Sequence, residues 1–493
     1  MPSSKEVSSD DMAPEPERGE DGRLSEGITI IDWNGPDDAA NPQNWPSGKR
    51  WSHIVVVSLL ALVTNMAPTM CAPAINQINE EFGIHSSTVS TLSVTLYVLG
   101  LGVGPMFISP ISEVYGRLPV YHISTLVFIA FLIGNALSQN IAQFMLFRFL
   151  SGCVGGTPMA LGGGSIADVT SLQTRASAMG LFSLGPLTGP VLGPVIGGFV
   201  AAGLGWRWVF WLLTILGGAT EIAAAIVMRE THARTLLERK TKRVRVATDN
   251  TKVHSKFATT HLTPSRVLAQ ALLRPTRLLI RSLAVSVMSL YVAIVFGLLY
   301  LLLTTFPDVF EGSYGFTIST SGLSYLGLGV ALIVAMVVFR TLGERVRVSH
   351  LNSDGRDQPR PELRLILMIW FSPFVGLGFF VYGWTAENQV HWIVPIIGTS
   401  FIGFGAFFVL MPTQLYLVDL FGPEAAASAL GANNFLRFLS GTFLPLIGPP
   451  MYRALGLGWG NTLLGFLALA FVLVPMLFYK YGEKLRQKTI ELL

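Results

Sequence analysis

The chain is poor in charge. Only 13% of its 493 residues are Asp, Glu, Lys or Arg, about half the ~25% usual in soluble domains. With 51% hydrophobic residues and a mean hydropathy of +0.53, that deficit excludes a soluble multidomain enzyme. Cysteine is nearly absent. Cys71 and Cys153 both lie in apolar runs, which excludes a disulfide framework. No Asn-x-Ser/Thr sequon marks a glycosylated loop. P-loop, HExxH, GxSxG and CxxC patterns are all missing, and the histidines are scattered. Nothing suggests an enzyme, a metal or a bound cofactor, and without an ATP-binding motif any transport would draw on an ion or substrate gradient. No secretory leader is visible either: the first apolar run begins near Ile54, behind a long polar stretch, and is too long for one. No charged ring or selectivity loop suggests a channel.

What the chain has is long apolar runs. About twelve of them reach the ~20 residues that span a bilayer. They fall near 52–74, 89–110, 119–138, 142–165, 176–201, 206–228, 280–304, 320–340, 363–384, 391–418, 427–449 and 459–480. The fold class is therefore all-α integral membrane, in two bundles of six spans, 51–228 and 280–480. Residues 1–50 read as a cytoplasmic tail, disordered to about residue 31. A turn-rich segment carrying Trp33 and Trp45 then lies at the membrane surface, where Trp is favoured.

Charge placement sets the orientation. Lys49 and Arg50 precede span one, Arg117 follows span two and Arg175 follows span four. The linker 229–279 and its edge hold a dense basic run, from Arg229 to Arg281. Arg345, Arg347, Arg356 and Arg360 lie between spans eight and nine; Lys480, Lys484, Arg486 and Lys488 follow span twelve. The alternate loops 75–88, 139–141, 305–319 and 385–390 have neither Lys nor Arg, and only Arg207 and Arg453 break the pattern. By the positive-inside rule both termini, the tail 481–493 included, and the linker are cytoplasmic. The linker's charges serve to anchor topology and attract anionic lipid rather than nucleic acid.

One run stands out: Gly185, Pro186, Gly189, Pro190, Gly193, Pro194 and Gly197, a glycine and a proline every four residues. Positions four apart share a helix face, so the glycines form a flat stripe that admits a neighbouring helix. The prolines each remove a backbone donor, tolerable in a membrane where neighbours re-satisfy the freed carbonyls. A bent, closely packed helix in a moving bundle accounts for both.

The chain also repeats. Asp168-x8-Ser177-Ala178-Met179-Gly180 matches Asp419-x8-Ser428-Ala429-Leu430-Gly431, and Gly203-Leu204-Gly205-Trp206 recurs as Gly456-Leu457-Gly458-Trp459. Both pairs fall at equivalent places in the two halves, as expected of parallel repeats around a central pathway.

Ionisable groups inside spans are candidates for function. Arg148 lies in span four, Glu221 in span six and Arg437 in span eleven, after Asn433 and Asn434. A buried carboxylate meeting an arginine changes its proton affinity, so Arg148 and Glu221 are candidates for proton coupling, with snorkelling of Glu221 to the surface as the alternative. Arg437 is equally a structural partner for carbonyls. In the short loop after span two, Gly116 permits a tight turn, and Glu113 and Arg117 can clasp the Asp168 loop as a gate, provided they are partly buried.

These residues resemble the major facilitator superfamily, in its fungal drug:proton antiporter branch of twelve spans. Glu113-x2-Gly116-Arg117 is similar to the superfamily's loop motif, Arg148-x3-Gly152 to its span-four motif, and the glycine–proline run to its span-five antiporter motif. Asp32-Trp33, Asn41-Pro42-x-Asn44-Trp45, Trp206 to Trp211, Glu230-Thr231, Gly383-Trp384, His391-Trp392-Ile393 and Pro395 to Gly398 resemble fungal members. Departures are Ser109 for the opening glycine of the loop motif, Val114 and Leu118 for basic residues, and Thr64 and Asn65 where some relatives have a span-one carboxylate. The resemblance implies a monomeric, plasma-membrane, proton-coupled exporter of neutral or weakly charged lipophilic compounds, working by alternating access. Asn65, Tyr97, Tyr291, Tyr300, Gln414, Asn433, Asn434 and Arg437 would line its pocket or tie helices together. A proton-driven nutrient importer shares the fold, and the span-five motif argues against it. A non-transporting sensor would carry a longer soluble extension.

Overall fold

A computed structural model describes residues 29–250, 252–257, 264–354 and 361–490. Tail residues 1–28, Arg356 and Arg360 lie outside them, as do the side chains of Arg266, Arg347, Lys484, Arg486 and Lys488.

Apolar runs become helices because a helix satisfies its own backbone groups where water is absent. Among the described residues, eleven helical stretches are long and apolar enough to cross a membrane: Ser47–Phe82, Ser87–Tyr115, Arg117–Ala136, Ile141–Val169, Gln173–Leu204, Arg207–Val227, Leu283–Gly312, Ile318–Val346, Pro361–Glu387, Ile393–Phe421 and Ala426–Gly482. The last has 57 residues, roughly 85 Å if straight, far beyond the ~30 Å of bilayer hydrocarbon. It turns at Gly456, whose φ of 73° breaks the helix, and so holds spans eleven and twelve.

Spans one and seven are the most protected, with 83% and 72% of their most apolar stretch buried, against 39% and 33% for spans three and six. The former therefore line the centre and the latter the rim. Each half has its own core, and the two interlock. Tyr300 and Phe438 of the second half pack in a first-half core, and Val191 of span five packs in the second half's core.

The two halves seal at the end opposite the basic loops. Asn76 donates to Glu311 (3.1 Å), and Arg453 to the Ser87 hydroxyl (3.0 Å). Both arginines that break the charge alternation have work at this end, since Arg207 pairs with Glu81 and lies over Trp206. At the basic end, the helix Pro264–Arg281 touches both span two and span eleven. Its Leu278 packs with Leu417, Ala429 and Ala432.

Two expectations are corrected there. Residues Thr29–Ile31 form a strand paired in parallel with Val253–Ser255 of the linker, in the register Ile30 to His254. Lys256 bonds Asp32 (2.5 Å) and Lys240 bonds Asn34 (2.7 Å). The described parts of the linker thus carry this strand and a helix at Ala233–Thr248 besides Pro264–Arg281. Trp45 is also not a surface anchor: it is buried in a first-half core and makes an edge contact with His53. Local charge and β-propensity held no sign of a strand whose partner lies more than 200 residues away.

Candidate transport site

The turn at Gly116 joins spans two and three. Its φ of 93° favours glycine, and an added Cβ would meet the Glu230 carboxylate. Glu230 is buried and accepts four backbone N–H groups, from Arg117 (3.0 Å), Leu118 (3.3 Å), Thr231 (3.0 Å) and His232 (3.0 Å). It caps the otherwise unpaired start of span three. Arg117 is then aimed at Asp168 on span four, 2.7 Å away, with both side chains about four-fifths buried. Glu113 takes no part in this latch: it is exposed, and the acid at the turn is Glu230. The repeat carries a matching pair in the second half, where Arg364 reaches Asp419 (3.0 Å).

Arg148 is wholly buried. Its guanidinium donates to the carbonyls of Ala67 (2.8 Å), Pro68 (3.0 Å), Ser93 (3.2 Å) and Val94 (2.9 Å). The first helix of span one stops at Met70, so the carbonyls of Ala67 and Pro68 lack helical donors. A cation at a helix C-terminus answers both need and dipole. The Tyr97 ring packs on the same guanidinium (5.1 Å), and its hydroxyl donates to the Thr64 carbonyl (2.8 Å). Arg148 thus ties spans one, two and four together through backbone alone.

It does not meet Glu221. That carboxylate lies 2.6 Å from His122 Nδ1, between rim spans three and six. It is buried, with its second oxygen unpartnered, so it does not snorkel.

The span-five stripe packs as its spacing implies. An added Cβ at Gly185, Gly189 or Gly193 would come within 2.8 Å of Ser58, Asn65 or Met66 on span one. Helix persists from Leu172 to Leu204 across Pro186, Pro190 and Pro194. A second face meets span eight across the halves, where Gly322 lies against the Pro194 carbonyl and Gly198 against that of Ile318.

The candidate lining residues divide. Asn65 bonds its own helix at Ala61 (2.7 Å), and Tyr97 is the tie already described. Tyr291 is wholly buried within the second half's core, stacked on Phe471. Gln414 is half-buried. Tyr300, Asn433, Asn434 and Arg437 are different. Tyr300 contacts Phe296 (4.9 Å), and Phe296 meets Phe438 (5.6 Å) at the seam between the halves. Arg437 lies over both phenylalanines.

Residues 57–445 match the Major Facilitator Superfamily. The chain belongs to the major facilitator superfamily. It is 53% identical to a protein named MFS transporter prlG from Fungal sp. (strain NRRL 50135), over 92% of this chain and 96% of that one. It is 46% identical to a protein named Trichosetin biosynthesis cluster MFS transporter from Gibberella fujikuroi, over 93% and 88%. Its fold matches the xylose transporter XylE from E. coli in a partially occluded inward open conformation. The TM-score is 0.64 at 16% identity, over 88% of this chain and 98% of that one.

Within this superfamily fold, several of the pairings at the site gave no sequence signal. Glu230 works 113 positions from Arg117, and His122 lies 99 positions from Glu221. Asp308 and Glu311, one turn apart on span seven, sit at the sealed end. Asp308 lines a hollow of about 180 Å³ with His85, Ser87 and Thr304. The two acids fall in 305–319, which reads in the sequence as a loop without Lys or Arg, whereas the span-seven helix runs on to Gly312.

Proposed function

We propose that this superfamily transporter is a proton-coupled exporter of lipophilic small molecules, such as drugs, toxins or secondary metabolites. It works by alternating access in the plasma membrane, as a monomer with its basic face and both termini in the cytoplasm. The observation that carries this reading is the span-five helix, packed by its glycines on span one and across the halves on span eight. A small slide of that helix makes or breaks the seal at the outer end. The name of the Gibberella fujikuroi relative supports a secondary metabolite as cargo. The coupling proton has two candidate seats inside spans, Glu221 with His122 and Glu311 with Asp308. Arg148 orders the first half around them.

The test is efflux of a lipophilic fluorescent dye from pump-deleted yeast expressing the chain, with and without a protonophore, beside Arg148→Ala, Glu221→Gln and Glu311→Gln. Protonophore-sensitive efflux that Arg148→Ala abolishes is expected, and the carboxylate variant that uncouples it identifies the proton seat. Dye accumulation above the empty control would reverse the direction and make the protein an importer. No flux of dye or of endogenous metabolites, with protein at the surface, would make it a sensor.

A further inference from the structure

Arg437 is a buried cation without a counter-charge. It is 6% exposed and lies midway along span eleven, ten residues before Ile447. At 1.5 Å per residue, the start of this span at Ala426 and the helix break at Gly456 are each roughly 15 Å or more away. Its guanidinium carbon lies over the rings of Phe296 (5.0 Å) and Phe438 (4.5 Å). Among the described residues no carboxylate, carbonyl or hydroxyl accepts from it, and its Nε is buried without a partner. Arg148, wholly buried, has four carbonyls. One turn earlier on the same helical face, Asn433 is wholly buried with both side-chain polar atoms unpartnered. The Asn434 oxygen is unpartnered too. Buried polar groups are normally paired and buried charges more so, because desolvation costs several kcal/mol otherwise. A cation and an amide left open together, beside Phe296, Tyr300 and Phe438 at the seam of the two halves, are short of one ligand group.

We infer that Arg437 and Asn433 form an anion-binding point for the cargo, and that the cargo is a lipophilic acid carried as its anion. The two rings hold the guanidinium by cation–π contact and take none of its N–H groups, which leaves them free for a bidentate bond to an acid group. Asn433 supplies a further donor, and Phe296, Tyr300 and Phe438 receive the apolar body. This narrows the neutral or weakly charged cargo expected from sequence to the anion of an acid. It rests on the exporter reading, deepening it by naming a substrate class.

The test uses the full-length protein in nanodiscs of phosphatidylcholine alone, in gluconate buffer at neutral pH, with empty nanodiscs as background. The probes are pyrenebutyrate and its methyl ester, one apolar body with and without a charge. Wild type is expected to bind the acid about tenfold or more tighter than the ester, as hydrogen bonds to a charged group imply. Arg437→Gln should remove that preference while ester binding stays, and Arg437→Lys should keep part of it. Asn433→Ala should weaken the acid alone. Equal binding of acid and ester by wild type, an undiminished preference in Arg437→Gln, or no binding of either probe would overturn the inference. If Arg437→Gln does not fold, the wild-type comparison and Asn433→Ala still decide. In yeast, protonophore-sensitive efflux of the ester without preference for the acid would sink this inference and leave the exporter standing. Acid binding without gradient-driven flux would do the reverse.

Discussion

Two buried arginines do opposite things, and the difference lies in what surrounds them. Arg148 is saturated by carbonyls of two other spans, so its loss strands the carbonyls of Ala67 and Pro68 at about 1–3 kcal/mol each. Arg148→Gln should therefore lower the unfolding midpoint of the purified protein as well as stop efflux. A midpoint unchanged with efflux lost would give Arg148 a purely chemical role. The Gly116 corner makes a sharper case. Gly116→Ala meets both a positive φ, at about 1–3 kcal/mol for a non-glycine residue, and the Glu230 carboxylate. Thermal unfolding should show it clearly destabilised, with Glu230→Gln milder, because an amide oxygen still accepts some of the four N–H bonds. The same corner carries an acid sensitivity. Burial, and then the charge of Arg117, hold the His232 imidazole below its ordinary value, with Glu230 opposing them. Folded His232 is thus neutral where the unfolded chain has begun to take up a proton. Its share of stability is complete well above pH 6.5 and is lost as pH falls through the unfolded value toward the lower folded one. His232→Gln should reduce the drop in unfolding temperature between pH 7.5 and 5.5, and an unchanged drop would assign that sensitivity to other groups.

Among the elements, the fifth span shows how far pattern alone reaches. Four glycines four apart can only form one stripe, and that stripe meets span one at Ser58, Asn65 and Met66. The Arg117–Asp168 contact was legible for a similar reason, since opposite charges sat at two loop ends of one repeat. The partners of Arg148 were not, because its acceptors are backbone carbonyls, which every residue has. His122 was missed because a lone histidine in an apolar run carries no period, and its mate Glu221 is 99 positions away. Tail residues Thr29–Ile31 were missed because three residues pairing with a distant strand leave no local trace. Stripe packing yields a graded prediction. Gly189→Leu must push span five off Asn65 and should abolish efflux and depress thermal stability by about 1–3 kcal/mol or more through overpacking. Gly180, on the same helix, has nothing within 4 Å of an added Cβ, so Gly180→Ala should be neutral or stabilising by up to about 1 kcal/mol. Equal damage from both would mean that helix conformation, not the stripe, is what matters.

For the whole molecule, the seal and the latches lie at opposite ends. The halves touch at Asn76–Glu311, Arg453–Ser87 and the Pro194–Gly322 approach. At the basic end each half instead closes an ion pair on itself, Arg117 with Asp168 and Arg364 with Asp419. The helix Pro264–Arg281 lies there against span two of one half and spans ten and eleven of the other. Such an arrangement is one of two states if the halves rock about the seam, since packed interfaces switch rather than stretch. Opening the far end must then part Asn76 from Glu311. In a chain with Asn76→Cys and Glu311→Cys, a short thiol-reactive crosslinker should bridge the two in the sealed state. Cys71 is buried and out of its reach, and Cys153→Ala removes the other thiol. Bridging should halt efflux, and a cleavable linker should restore it on reduction. Each single-cysteine variant with the same reagent should keep its flux, which separates locking from mere modification. A fully bridged protein that still exports at the unbridged rate would show that the sealed end never opens, and the cargo would then have to leave by another path, between spans toward the lipid.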